Sequence, residues 1–272
     1  MPAGEDASPP GRLGFIEVGA RGGSAPRLAP FQARLDRVLV EPDEQEAARL
    51  QEASANGTLY TVIPSALGHI DGDIDLHIAK NPTCTSALPV ADEFRRQYGI
   101  SHHFEAQSIR RVACARYDTL HAKGGLPVPH IIKADVQGFE YEVLLGFGSH
   151  LQDCLVIEVE AHFYEVYARQ RLFGEVTRFL SAFGFVLRSL SLPRSPLLKG
   201  DPHFDGDLVE VDALFSKNRR WVSTQTQQKR AQFALACEVM EIGPYPADQA
   251  PPALDPAPAG SETGHAAAAR RA

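Results

Sequence analysis

The chain has 272 residues, of which 44% are hydrophobic and 22% are charged, with 22 glycines and 20 prolines. This composition is typical of a soluble globular protein and excludes collagen, a coiled coil and a wholly disordered chain. The 27 lysines and arginines against 34 acidic residues give a net charge of -7. The chain therefore lacks the basic field on which non-specific binding of DNA or RNA depends, and we expect no nucleic-acid partner.

Short apolar segments of strand length recur along the chain. They lie at 13–18, 37–41, 59–63, 74–79, 130–135, 154–160, 185–190 and 209–215. Helical patterns lie at 43–54, 139–148, 165–184 and 226–242, whereas the stretch 80–110 is irregular. Several of the apolar segments are continuous rather than alternating, which indicates strands covered on both faces.

The order of these elements predicts the fold class. Alternation of strand and helix indicates βαβ units with right-handed crossovers. We therefore predict an α/β fold with a doubly wound, mainly parallel sheet. No convincing helix separates the last two strands, so the final strand is predicted to pair antiparallel. The pattern does not disclose what the terminal helix packs against.

Composition also divides the chain into three segments. Residues 1–11 form a polar lead, and residues 243–272 form a tail rich in Pro and Ala. Both segments are predicted to be disordered, because they offer little apolar area to offset the entropy of ordering. A single folded domain is predicted over residues 12–242.

The sequence carries no motif for a metal ion or a membrane. Neither CxxC nor zinc-ligand spacing occurs, so buried free thiols are expected at Cys84, Cys114, Cys154 and Cys237. Acids and histidines show no metal-ligand spacing either, and no metal site is predicted. Since there is no signal-peptide core and no 18-residue apolar run, we expect a cytoplasmic protein without membrane insertion.

A glycine turn follows the first predicted strand. Gly19, Gly22 and Gly23 allow the backbone to approach a ligand closely and to adopt positive φ. The turn is not the dinucleotide fingerprint, because residue 21 is Arg and Pro26 and Pro30 interrupt the following helix. A plain strand-to-helix turn is the alternative.

Two acids end the first two strands. Glu41 stands 24 residues after Glu17, close to the ~20-residue interval at which an acid meets ribose hydroxyls in nucleotide-binding βαβ units. A surface acid is the alternative for Glu41. Glu17 ends an apolar strand, where a carboxylate needs a donor such as a ligand ammonium or backbone amides. This pattern suits S-adenosylmethionine, which has a cationic amino-acid end and no phosphate.

Six ordered segments carry a family resemblance: FIEVGARGG (15–23), VEPDEQEA (40–47), SALG (65–68), TSAL (85–88), RYDTL (116–120) and IIKADVQGFEYEVLLG (131–146). Together they resemble FkbM-type methyltransferases over residues 13 to about 190. The resemblance implies a Rossmann-like class I methyltransferase fold, S-adenosylmethionine as donor, and a hydroxyl acceptor on a sugar, glycolipid or natural product. The implied donor-binding residues are Glu17, Gly19, Ala20, Arg21, Gly22, Glu41, Pro42, Ser65, Ala66 and Asp135.

The chain departs from the family pattern at three positions. The family usually has Asp and Asn where this chain has Glu17 and Arg21, and Glu or a similar acid where it has Gln137. These departures motivate an alternative, a non-catalytic cofactor-binding or interaction module that keeps the fold. A nicotinamide-dependent dehydrogenase is a third interpretation, which the missing GxGxxG disfavours. The oligomeric state is left open.

The KADVQG segment supplies candidate catalytic residues. Lys133 and Asp135 are two apart on one strand and share a face, and Asp135 falls at the end where the donor methyl is expected. Asp135 is predicted to orient or deprotonate the acceptor hydroxyl, with Lys133 tuning its charge. A structural Lys-Asp pair is the alternative.

The next strand end supplies a second set. His162 is a candidate general base near neutral pH, with Glu160 as its orienting partner and acceptor contact. A structural histidine is the alternative. Ser86 and His103, in the irregular stretch, are candidates for acceptor binding.

Overall fold

The computed structural model describes residues 11–23, 25–55, 60–191 and 207–245. Most of the predicted lead and tail, residues 1–10 and 246–272, lies outside the described residues. The described part contains ten strands: β1 (Leu13–Val18), β2 (Leu35–Val40), β3 (Thr61–Ile63), β4 (Ala66–Leu67), β5 (Gly72–Ala79), β6 (Ala106–Ala115), β7 (Pro129–Ala134), β8 (Val156–His162), β9 (Phe185–Ser191) and β10 (Glu210–Lys217). Its α-helices are α1 (Glu44–Ala55), α2 (Asp92–Gln97), α3 (Tyr117–Ala122), α4 (Glu140–Gly146), α5 (Phe173–Ser181), α6 (Arg219–Ser223) and α7 (Gln227–Val239).

Seven strands form the main sheet in the order β3-β2-β1-β7-β8-β10-β9. The first five of these strands run parallel, and β10 is antiparallel to both β8 and β9. The predicted α/β class, with a mainly parallel sheet and an antiparallel final strand, is confirmed. Because β1 lies between β2 and β7, the strand order reverses at its carboxyl end, where open α/β sheets bind their ligands.

Apolar side chains cover both faces of this sheet. On one face Ile16, Ile132 and Val159 pack with residues of α4 and α5. On the other face Leu13 and Phe15 pack with residues of α7. The predicted terminal helix therefore forms, with Thr226 as its N-cap (Lys229 N to Thr226 Oγ1, 3.2 Å), and its partner is the sheet.

The stretch predicted to be irregular, 80–110, contains the first half of β6, which lies between β4 and β5 in a separate three-stranded sheet. The predicted strand at 74–79 is thus correct as a strand but belongs to this smaller sheet. β6 escapes sequence analysis because residues 106–111 are exposed on both faces, so no alternation of polar and apolar residues marks them.

The predicted helix at 165–184 is too long. It begins only at Phe173, because the preceding residues form a loop in which Arg169 has a φ of 65° and Val166 packs in a separate cluster with Phe94. Its end is as expected, with Gly184 at a φ of 79°. Within the described residues, no helix combines the length and the apolar character needed to cross a bilayer.

Candidate active site

A cavity of about 380 Å³ opens at the carboxyl ends of β1, β2, β7 and β8, with the smaller sheet as its other wall. Its apolar part is formed by residues such as Leu67, Ile74, Leu76 and Phe139. Its polar part is formed by Arg21, Glu41, Asp135, Gln137, Glu160 and Glu210. A mainly apolar pocket with a few convergent polar groups is typical of small-molecule sites.

The glycine turn brings two strand ends into close contact. Gly19 has a φ of 81°, and its amide donates to the carbonyl of Val40 at 3.0 Å. A Cβ on Gly19 would lie 1.9 Å from the carbonyl oxygen of Asp135. Only glycine fits here, so the floor of the cavity consists of bare backbone that a ligand can approach.

Glu41 lies in the cavity wall and is 4% exposed. Its Oε1 accepts from the amide of Asp43 at 2.9 Å, and the guanidinium of Arg21 lies 3.9 Å from the same oxygen. Burial raises the pKa of Glu41. A buried carboxylate at this strand end is suited to accept hydrogen bonds from a pair of ligand hydroxyls.

The other end of the cavity is acidic, and the side-chain amide of Gln137 connects its carboxylates. Gln137 Nε2 donates to Asp135 Oδ1 at 3.0 Å and to Glu160 Oε2 at 2.7 Å. Gln137 Oε1 accepts from the hydroxyl of Tyr167 at 2.8 Å. The carboxylates at the ends of β7 and β8 are thus linked through a side chain that sequence analysis did not assign to the site.

Glu210 completes this acidic end and was also missed. It lies in the cavity wall because β10 pairs antiparallel with β8, which sets Glu210 opposite His162. Burial, followed by the charges of Asp135 and Glu210, raises the pKa of Glu160 well above its ordinary value. Burial and neighbouring acids likewise raise the pKa of Asp212, opposite Glu160, to about 6.

The backbone of this end is fixed by Glu140, the first residue of α4. Its Oε1 accepts from the amides of Val136 at 2.9 Å and Gly138 at 3.2 Å. Burial raises the pKa of Glu140 to about 7. The Glu140 carboxylate therefore fixes the loop that contains Asp135 and Gln137.

Sequence comparison agrees with this geometry. A model of the methyltransferase FkbM domain matches residues 17–187, well over half of the chain. The chain belongs to the FkbM methyltransferase family. S-adenosylmethionine is therefore its cofactor. No curated protein matches the chain by sequence.

Three solved methyltransferases are distantly similar to this chain. A magnesium protoporphyrin IX methyltransferase from Synechocystis, with bound SAM, is 12% identical with a TM-score of 0.39, over 77% of this chain and 71% of that one. A putative RNA methyltransferase from Pyrococcus horikoshii is 14% identical with a TM-score of 0.36, over 75% and 74%. A TehB-like SAM-dependent methyltransferase from Corynebacterium glutamicum is 11% identical with a TM-score of 0.32, over 78% and 83%.

The FkbM domain presents residues that fit the donor. The bare backbone at Gly19 leaves room for the amino-acid end of the donor, and Glu41 can accept hydrogen bonds from the ribose hydroxyls of the donor. Pro42 and Ala66 also line the cavity, beside the apolar side chains that suit an adenine ring. Ala20, Gly22 and Ser65, which were predicted with them, are not part of the wall.

Glu17 does not lie where it was expected. Glu17 and Val18 are consecutive in β1, so their side chains point to opposite faces of the sheet. Val18 lines the cavity, and Glu17 lies outside the wall. Its Oε1 lies 3.5 Å from Lys133 Nζ, while its buried Oε2 has no hydrogen bond. Lys133, also outside the wall, is thus paired with Glu17. Burial lowers the pKa of Lys133, but the carboxylates of Glu17 and Asp135 outweigh this and raise it overall.

The remaining predicted acceptor residues also lie outside the wall. His162 is 1% exposed and its Nε2 lies 3.5 Å from Glu210 Oε2, behind the cavity surface. Ser86 is buried, and its hydroxyl donates to the carbonyl of Gln137 at 2.6 Å. His103 ends a 3-10 helix and its ring lies 3.9 Å from that of His102. Among the described residues, no group of three or more His, Cys, Asp or Glu side chains is arranged to hold a metal ion.

Proposed function

We propose that this FkbM domain is an O-methyltransferase that acts on a hydroxyl of a small-molecule or glycan acceptor, such as a sugar, a glycolipid or a natural product. The observation that carries the proposal is the linked pair of carboxylates, Asp135 and Glu160, in the wall of the donor cavity.

The donor supplies an electrophilic methyl group, so the chain has to orient the acceptor oxygen and remove its proton. Asp135 lies at the end of β7, where it can accept a hydrogen bond from the hydroxyl and direct its lone pair. Glu160, which is linked to Asp135 through Gln137 and also lines the cavity, is the proposed proton acceptor. Bound S-adenosylmethionine would supply the methyl group and keep the electron pair of its sulfur–carbon bond, while Glu160 would take the proton of the acceptor oxygen. His162 contacts this region only through Glu210.

A second candidate is a module that binds the donor without catalysis. It is favoured by Arg21, whose guanidinium lies 3.9 Å from Glu41 Oε1 and 3.4 Å from Asp43 Oδ2, beside the carboxylate assigned to the ribose. The two candidates differ in turnover and agree in donor binding, so both quantities have to be measured on the same variants.

Two substitutions separate donor binding from chemistry. Glu41→Ala removes hydrogen bonds to the ribose and should weaken donor binding by ~10- to 100-fold in calorimetry. Asp135→Asn should leave that affinity within about twofold but lower methyl transfer to a panel of hydroxylated acceptors by ~10²-fold or more.

Exposed acids provide matched controls. Glu44→Ala, in the first turn of α1, and Asp75→Asn, on β5, should change neither quantity. Donor binding without transfer to any acceptor would favour the non-catalytic module. An unchanged dissociation constant in Glu41→Ala would remove that residue from the donor site.

A further inference from the structure

Gln137 is held in a backbone conformation that side chains seldom adopt. Its φ is 57°, in the left-handed region that glycine adopts readily and other residues seldom do. Such a conformation persists only where the surroundings determine it. Here the Ser86 hydroxyl donates to the Gln137 carbonyl and the Tyr167 hydroxyl donates to its Oε1. Gln137 is thus held at both its backbone and its side chain.

These contacts determine which way the amide points. Since Tyr167 donates to Oε1, Nε2 is directed away from it, toward the two carboxylates. One nitrogen has two hydrogens, and it makes one hydrogen bond to each acid. Only Oδ1 of Asp135 and Oε2 of Glu160 are used, so one oxygen of each carboxylate remains for a ligand in the cavity.

Two carboxylates this close ordinarily share a proton, because both cannot ionise without strong repulsion. An amide that donates to both favours the ionised form of each. Glutamate at this position would add a third acid and has no hydrogen to donate when ionised.

We infer that Gln137 is a positioning residue, which holds the carboxylates of Asp135 and Glu160 and stabilises their charged forms by donating to both, so that each has an oxygen free for the acceptor. The role of the free oxygens in binding the acceptor rests on the proposed O-methylation. The effect of Gln137 on the two carboxylates rests only on its hydrogen bonds to them.

The titratable groups that face this amide come from each neighbouring element. They are Lys133 and Asp135 from β7 and its end, Glu140 from α4, Glu160 and His162 from β8, Glu210 and Asp212 from β10, Tyr167 from the following loop, and Cys84 from the 3-10 helix Pro82–Cys84. Since most of these groups are acidic, a further carboxylate at position 137 should bind a proton in the folded protein.

The test is Gln137→Glu, with thermal unfolding measured from pH 5 to pH 8 without any ligand. Above about pH 4.5 the unfolded chain releases the added proton while the folded protein retains it, so stability should fall as pH rises. The deficit in melting temperature relative to wild type should therefore be small at pH 5 and grow toward pH 8. Gln107→Glu, at an exposed position of β6, makes the same change in charge and should show no such slope.

Gln137→Met removes both hydrogens of the amide at nearly constant size. It should show a shallower slope of the same sign, because the two remaining acids then compete for one proton. Melting-temperature deficits that are equal at pH 5 and pH 8 in both variants would overturn the inference and make Gln137 a structural residue only. If the slopes appear but methyl transfer keeps its wild-type rate and pH profile, Gln137 positions the carboxylates and the proposed role of those carboxylates in O-methylation fails instead.

Discussion

Lys217 is buried in the core, yet its ammonium is fully engaged. Nζ donates to the carbonyls of Leu151 at 2.8 Å and Phe183 at 2.6 Å, and it lies 4.1 Å from the ring centroid of Phe185. The Lys217 side chain thus connects the 3-10 helix Gly148–Gln152, which contains Leu151, to the turn after α5, which contains Phe183. Burial lowers the pKa of Lys217 to about 8.

Replacing Lys217 by Met should lower the free energy of unfolding near pH 7 by ~1–3 kcal/mol, because two buried carbonyls lose their donor. The wild type should also show a pH dependence that the variant lacks. Between about pH 8 and the ordinary lysine value of 10.5, the unfolded chain binds a proton that the folded protein has released. Wild-type stability should therefore rise with pH across this window relative to Lys217→Met. Urea unfolding of both proteins at pH 7.5 and pH 10 measures the difference, and parallel changes would show that Lys217 does not titrate there.

Sequence patterns predicted part of the cavity wall and missed two of its polar residues. Gly19, Glu41 and Asp135 were predicted from strand ends, and all three lie on the cavity wall. Glu210 could not be found this way, because its place depends on the antiparallel register between β10 and β8. Gln137 depends on a left-handed backbone that no spacing encodes.

The turn after β1 and the loop after β7 form a single unit. A Cβ added to Gly19 would lie only 1.9 Å from the carbonyl oxygen of Asp135, whereas a Cβ added to Gly22 would have no atom within 4 Å. Both glycines have positive φ, 81° and 85°. They differ in packing, but a side chain at either position would meet the same kind of backbone strain.

This pair allows a matched experiment. Gly22→Ala should lower stability only by the strain of the left-handed backbone, ~1–2 kcal/mol. Gly19→Ala adds a clash of backbone against backbone and should displace Asp135, with a larger loss of stability and a loss of donor binding. Melting temperature and calorimetry of the two variants give both quantities, and equal effects would mean that the close approach at Gly19 does not matter.

The elements themselves were predictable where burial imposes a pattern. β1 has the predicted bounds of 13–18, and β2 and β8 are displaced from theirs by only one or two residues. β6 carries no such pattern, because most of it has solvent on both faces. The helix α5 was overestimated because the apolar Val166 serves a different cluster, although it fits the helical spacing.

The last described residue, Tyr245, packs against the folded domain. Its ring stacks on Phe233 at 5.7 Å and lies 4.5 Å from the guanidinium of Arg188, which also donates to the carbonyl of Gly243 at 2.7 Å. The start of the predicted tail therefore contributes to the packing around α7.

Two truncations test how far the folded unit extends. A chain that ends after Tyr245 should unfold at the wild-type temperature, because the rest of the tail offers little apolar area. A chain that ends after Ile242 loses the aromatic contact, ~0.5–1.5 kcal/mol, and should melt a few degrees lower. A large fall in melting temperature in the chain that ends after Tyr245 would show that the tail beyond Tyr245 docks on the domain.

The position of β10 bears on how the protein is made. β8 gains its second neighbour only from residues 210–217, although the other neighbour, β7, precedes it in the chain. A nascent chain that ends at residue 191 therefore has β8 with an open edge, and unpaired strand edges are templates for aggregation. Synthesis of the last strand closes that edge and delivers Glu210 to the cavity in the same step. Premature termination before residue 210 should accordingly yield an insoluble product rather than a weakened enzyme.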